Sequence, residues 1–275
     1  MDQFTVGCVP YLNAKPLVRR FRDLGDRSPV QVVYDVPSRL PQLLEEGTVQ
    51  AILVSSIEAL RGPCRVADGV AIGSHGEVRS VRLFSKVPFE RVTTVALDQS
   101  SMTTNALAQI VLADAYGVRP EVKLFPPVLS EMLAETDAGI LIGDAGMRQP
   151  ANGLYVLDLG EAWSDLTGLP FVWAVWLGGD GLSPELAGLL RHAARWGRQH
   201  LEEIVPGAAE ETGFTVTDAR AYLAEVMDYD LGPGQKAGLA EFGRRLVAHG
   251  LLERIYEPSW VSEIGVTPAA NLTRP

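Results

Sequence analysis

The sequence predicts an α/β protein of two lobes, with a cleft between them and a two-stranded hinge joining them. Three observations carry that prediction. Short apolar strands alternate with helical stretches from the N-terminus onward, the pattern of parallel βα units. The alternation pauses around Pro88 and restarts at Val92, so two sheets are expected. Two extended stretches, residues 84–88 and 171–177, stand where the chain would cross between lobes and return. The expected lobes are 1–87 plus 178–275 and 88–177, with the helical C-terminus packed back on the first.

The first unit is an apolar run over residues 4–9, broken at Pro10 and followed by Tyr11, Asn13 and an amphipathic segment. Asn13 stands at an N-cap position, with Pro16 in the first turn, where a missing N–H costs nothing. In an open α/β sheet, ligands bind beyond the carboxyl ends of the strands. Tyr11 and Asn13 are therefore either polar groups at a site mouth or a rim aromatic and a simple cap. Residues 30–34 alternate as a second strand, and Ser38 caps a leucine-rich helix that ends at Gly47. Residues 51–54 are wholly apolar, as in a buried parallel strand. They run into Ser55, Ser56, Ile57 and Glu58, where hydroxyls open another helix. Three such units in succession make a parallel, right-handed α/β half.

An apolar segment follows over 66–73. From Val78 the pattern alternates and predicts a strand with Val78, Ser80, Arg82 and Phe84 on one face. In the second half, a strand over 92–97 leads to a polar turn and a helix over 106–116, ended by Gly117. Ser100, Ser101, Thr103 and Thr104 place four hydroxyls in that turn. With free backbone N–H groups they suit an anion, and redundant capping is the plainer alternative. A strand over 138–142 ends in Gly143 and Asp144. Glycine there lets backbone approach a ligand. Asp144 is either an acceptor for a substrate hydroxyl or a helix cap. Residues 154–157 form the last strand of this half. Beyond 178 the chain is helical: Ser183 and Pro184 open one helix, and 217–227 and 234–249 are two more. The tail after Tyr256 shows no strong periodicity.

Composition narrows the function. Hydrophobic residues make up 47%, enough for a sizeable core, yet the longest apolar runs fall far short of a membrane span. The N-terminus has no basic n-region or apolar h-region, so no signal peptide and a cytoplasmic location are expected. A net charge of −10 argues against nucleic acid and anionic membrane surfaces as partners. Cys8 and Cys64 lie in apolar contexts and are read as free thiols. His75, His192, His200 and His249 lack metal-ligand spacing, so no metal is predicted, and His192 and His200, eight apart on one helix, are expected at the surface. There is no phosphate loop, no dinucleotide fingerprint and no nucleophile elbow. What remains is a cleft of neutral hydrogen-bonding groups and helix starts. It suits a small carboxylate ligand, either as an enzyme or as a pure binding or sensing protein.

The run Val9-Pro10-Tyr11-Leu12-Asn13-Ala14-Lys15-Pro16-Leu17 is specific. Further distinctive stretches are Val36-Pro37-Ser38, Leu53-Val54-Ser55-Ser56-Ile57-Glu58, Gly76-Glu77-Val78-Arg79-Ser80-Val81, Leu83-Phe84-Ser85-Lys86, Gln99-Ser100-Ser101 with Thr103-Thr104, Leu141-Ile142-Gly143-Asp144-Ala145 and Thr167-Gly168-Leu169-Pro170-Phe171. Together they resemble the chorismate dehydratases of the futalosine route to menaquinone. The related dihydroxynaphthoate synthases open with Ser-Pro-Cys-Pro-Asn-Asp, which this chain lacks. The resemblance implies a type II periplasmic-binding-protein-like fold. It implies dehydration of chorismate, a dicarboxylate, to 3-(1-carboxyvinyloxy)benzoate, with no cofactor. It also implies catalytic roles for Asn13 and Ser80, although an inward serine on a strand is often only a small packing residue. Substrate contacts are expected at Tyr11, Ser38, Ser55, Ser56, Ser100, Ser101, Thr103, Thr104, Gly143 and Asp144. The motifs offer no obvious side-chain base. The substrate's enolpyruvyl carboxylate is expected to take the proton, with Asp144 as the alternative.

Overall fold

A computed structural model describes residues 3–37, 39–99 and 101–267. The chain opens with β1 (Phe4–Cys8), α1 (Lys15–Leu24), β2 (Val30–Tyr34), α2 (Leu40–Glu45), β3 (Ala51–Ser55), α3 (Glu58–Arg61) and β4 (Arg65–Ser74). The middle carries β5 (Arg82–Ser85), β6 (Thr94–Asp98), α4 (Met102–Tyr116), β7 (Glu121–Phe125), α5 (Leu129–Glu135), β8 (Ala138–Leu141), α6 (Gly143–Arg148), β9 (Tyr155–Asp158) and α7 (Leu159–Thr167). The chain returns through β10 (Phe171–Gly178), α8 (Pro184–Gln199), α9 (Leu201–Thr212), α10 (Val216–Ala221), α11 (Pro233–Ala248), β11 (Ser259–Ser262) and β12 (Gly265–Thr267). Two mixed sheets result. The larger has the order β12-β11-β4-β10-β3-β1-β2, and the smaller β7-β6-β8-β5-β9. β1, β2 and β3 are parallel, as are β6, β7 and β8. The two-lobe α/β prediction therefore holds.

Two details of that prediction need correction. The stretches expected to cross between lobes are strands within single sheets. β5 pairs with β8 and β9 in the smaller sheet, and β10 pairs with β3 and β4 in the larger. The chain changes sheet earlier, between Ser74 and Arg82 and again between Asp158 and Phe171. Residues 78–81 do not continue a strand. The Asp158 carboxylate accepts the N–H groups of Val78 (2.9 Å) and Arg79 (2.7 Å), and also those of Gly160 and Glu161 at the start of α7. A side chain has claimed the donors a strand partner would need. The backbone turns, with Arg79 at φ 62° and Ser80 N–H on the Val78 carbonyl.

The tail also differs: β11 runs parallel to β4, and β12 pairs with β11, extending the larger sheet. Such short edge strands leave little periodicity to read. The helix expected over 217–227 is α10 followed by a π-helical turn, Tyr222–Val226.

Close packing fixes the helices of the larger lobe and one of the crossings between sheets. α8 lies across α1, where a Cβ on Gly197 would come within 1.9 Å of the Pro16 carbonyl oxygen, so only glycine allows this approach. At the return crossing, Trp163 of α7, Phe171 of β10 and Phe242 of α11 form one buried aromatic cluster, with ring centroids 5.0–6.2 Å apart. Cys8 and Cys64 are free, and burial pushes their thiols up to about 12 and about 11. Of the histidines, His75 is exposed and His192 pairs with Glu263. His200 stacks on Trp196, while His249 is largely covered beside Asp114.

Candidate active site

The segments that follow β1 and β3 face the starts of α4 and α6 across a cavity of about 110 Å³. Leu53, Ile72, Val78 and Trp173 supply apolar wall. Tyr11, Asn13, Ser55, Ser80, Ser101, Thr103 and Thr104 supply polar groups, and Gly143 supplies backbone. Residues from both lobes and from distant parts of the chain meet here.

Asn13 lies in a single 3-10 turn, Leu12–Ala14, just before α1. Ala14, not Asn13, is the N-cap residue, and no side chain caps this helix. The capping alternative for Asn13 is thus corrected: the short turn displaces the helix start by one residue and leaves the amide to other partners. Its Nδ2 donates to Tyr222 Oη at a long 3.5 Å, and its Oδ1 is buried without a protein partner among the described residues. Tyr222 Oη in turn donates to Ser80 Oγ at 2.8 Å. Ser80 is 3% exposed and sits in the turn held by Asp158. Behind it, a Cβ on Gly146 would meet the Ser80 carbonyl oxygen at 2.5 Å, so glycine at 146 lets α6 back the turn.

Ser55 and Thr103 form a tie between lobes. Ser55 Oγ donates to Thr103 Oγ1 (2.6 Å), which also accepts the Ile57 N–H (3.0 Å), while Thr103 N–H donates to Ser55 Oγ (3.3 Å). These hydroxyls line the cavity yet already hold each other. Ser101 and Thr104 stand on the wall at the start of α4 and are buried. Ser56 is fully buried and does not reach the cavity wall. Gly143, at φ 58°, is on the wall, and its neighbour Asp144 does not line it. Burial raises the Asp144 carboxyl, and the Leu12 backbone, Arg148 and Lys15 pull it partly back. Tyr11, half-buried at the mouth, is raised by burial and by Asp98 and Asp144. Ser38 and Ser100 lie outside the described residues.

Sequence reasoning missed Tyr222. Burial pushes its phenol far up, partly countered by the Ser80 and Asn13 bonds, so it stays protonated. A tyrosine in an amphipathic helix carries no mark of function. The π-helical turn that starts at Tyr222 is the structural signal, since such turns recur at functional sites. Trp173 was expected in a crossing strand, but instead it walls the cavity and donates from Nε1 to Ser74 Oγ (3.0 Å). Among the described residues, no group of His, Cys, Asp and Glu could hold a metal ion, and no helix is long and apolar enough to cross a membrane.

Fold and cleft define a two-lobe, binding-protein-like α/β protein. A solved structure from Archaeoglobus fulgidus superposes with a TM-score of 0.70 at 18% identity, covering 91% of this chain and 98% of that one. The periplasmic aliphatic sulphonate binding protein SsuA from Escherichia coli gives 0.63 at 13% identity, covering 100% and 95%. A family model described as "Menaquinone biosynthesis" matches residues 4–248, and the chain belongs to that family. Chorismate dehydratase from Thermus thermophilus is 30% identical over 267 residues, 90% of this chain and 96% of that protein. Chorismate dehydratase from Campylobacter jejuni is 25% identical over 249 residues, 86% and 94% respectively.

Proposed function

We propose that the protein is a chorismate dehydratase, a hydro-lyase that converts chorismate to 3-(1-carboxyvinyloxy)benzoate and water in menaquinone biosynthesis. Kinship with the two dehydratases motivates the reading. The observation that carries it is the cavity, where Asn13 and Ser80 meet on a wall of neutral donors and acceptors.

The chemistry follows from the substrate. The C3 hydrogen of chorismate is vinylogous to the ring carboxylate, so its removal places charge on that carboxylate. Loss of the C4 hydroxyl then makes the ring aromatic. Catalysis needs a base at C3, support for the carboxylate charge and a proton for the departing hydroxyl. Tyr11 is the titratable side chain among the described wall residues, and burial holds it protonated. The substrate's enolpyruvyl carboxylate is therefore assigned the C3 proton. Asn13 and Ser80 hold the C4 hydroxyl, which leaves as hydroxide and takes up the proton that the enolpyruvyl carboxylate removed from C3, so that water forms and the carboxylate is regenerated. Ser101 and Thr104, which line the cavity at the start of α4, are assigned a carboxylate.

The test is incubation of the purified protein with chorismate, followed by ultraviolet spectra. Appearance of the aromatic enol ether is expected. Tight binding without conversion would assign the protein to ligand binding instead.

A further inference from the structure

We propose that Tyr222 is a positioning residue that sets the direction of the hydrogen bonds Asn13 and Ser80 offer to the cavity. The proposal rests on the dehydratase reading of the same site.

Tyr222 is 2% exposed, and its Oη lies between Asn13 Nδ2 and Ser80 Oγ. An amide nitrogen can only donate. Tyr222 accepts from Asn13, and its single proton goes to Ser80. Ser80 Oγ has then accepted a bond and keeps its own proton for the cavity. Asn13, with its NH2 group turned to the phenol, has Oδ1 left for the cavity it lines, and that oxygen is buried with no protein partner among the described residues. The cavity thus holds one donor, Ser80, and one acceptor, Asn13, in a fixed sense. A substrate hydroxyl needs that pair: its hydrogen goes to Asn13 Oδ1 and its oxygen accepts from Ser80 as the carbon–oxygen bond breaks.

The phenol is held firmly enough for this role. Tyr222 begins the π-helical turn, and the Met227 N–H closes back on its carbonyl at 3.1 Å. The strap beyond is paired to β4. Asp228 exchanges bonds of 2.7 and 2.8 Å with Gly73, and the Tyr229 carbonyl accepts from Ala71 at 3.1 Å. Burial keeps the phenol protonated, as a donor must be.

The test compares Tyr222→Phe, Ser80→Ala and the double variant with the unmodified protein. Tyr222→Phe should lower kcat about tenfold or more, the equivalent of one well-placed hydrogen bond, with KM changed less than about twofold. In the Ser80→Ala background the same substitution should cost clearly less than it does alone, because only Asn13 is then left for Tyr222 to orient. Independent, multiplying losses would overturn the proposal, as would an unchanged kcat in Tyr222→Phe. Incorporation of 3-fluorotyrosine at 222, which keeps ring and hydroxyl, should retain turnover; its loss would count against the role. A crystal structure of Tyr222→Phe decides the point without turnover. Reoriented Ser80 and Asn13 side chains are expected, and unchanged rotamers would sink the proposal. Should the unmodified protein fail to convert chorismate, the dehydratase reading falls alone, and that structure still decides what Tyr222 positions.

Discussion

At the residue scale, the proposed site relies on neutral groups, so their orientation counts for more than their charge. In that proposal Asn13 contributes an acceptor and Ser80 a donor, and both are bonded to a third side chain, Tyr222. Asp144 illustrates the opposite case. Its carboxylate was legible as a candidate base, because it follows a strand end and a glycine. It does not line the cavity, and burial raises it. On the proposed mechanism Asp144→Asn should retain kcat within a few-fold, as steady-state turnover of chorismate would show. Abolished turnover with intact binding would make Asp144 the base.

At the element scale, the helix that follows the Asn13 turn is anchored to the C-terminal helices. Lys15 and Arg22 of α1 both pair with Glu211 of α9. Hydrogen bonds from these two cations pull the Glu211 carboxyl from its ordinary 4.5 to about 2. A depressed acid stabilises the fold above its unfolded pKa, and that contribution disappears as pH falls from about 4.5 to about 2. At 38% side-chain exposure, solvent screening keeps it to at most about 1 kcal/mol. Glu211→Gln should lower the urea midpoint slightly at pH 7 and leave it unchanged near pH 2. Added salt should shrink the difference at pH 7. These pairings lie 189 and 196 residues apart in sequence, and nothing local announces them.

At the scale of the whole molecule, the two sheets meet through side-chain contacts at the cleft and aromatic packing at the crossings. The Ser55–Thr103 tie joins the end of β3 to the start of α4. Thr103→Val keeps the shape but leaves the Ile57 N–H without its acceptor, which should cost about 1–3 kcal/mol. Urea unfolding measures the loss, and KM for chorismate should rise because the cavity wall loosens. An unchanged midpoint would show that the tie does not hold the lobes. Hydroxyls that looked like anion ligands from sequence thus include one bonded across to Ser55 and the Ile57 N–H.

Much of the fold was legible because it is written locally. The parallel strands 4–8, 30–34 and 51–55, the glycine that ends α4 and the Ser183–Pro184 helix start all follow from periodicity and capping within a few residues. The same local reading, with the motif around Asn13, marked Tyr11, Asn13, Ser55, Ser80, Ser101, Thr103, Thr104 and Gly143, which all reach one cavity. Tertiary structure alone decided how those groups are used. The Asp158 carboxylate turns residues 78–81 out of a strand, Thr103 is paired with Ser55, and Ser56 points into the core. Tyr222 enters from a helix 142 residues beyond Ser80. A hydrogen bond depends on separation and angle in space, and a local sequence pattern specifies neither for residues so far apart along the chain.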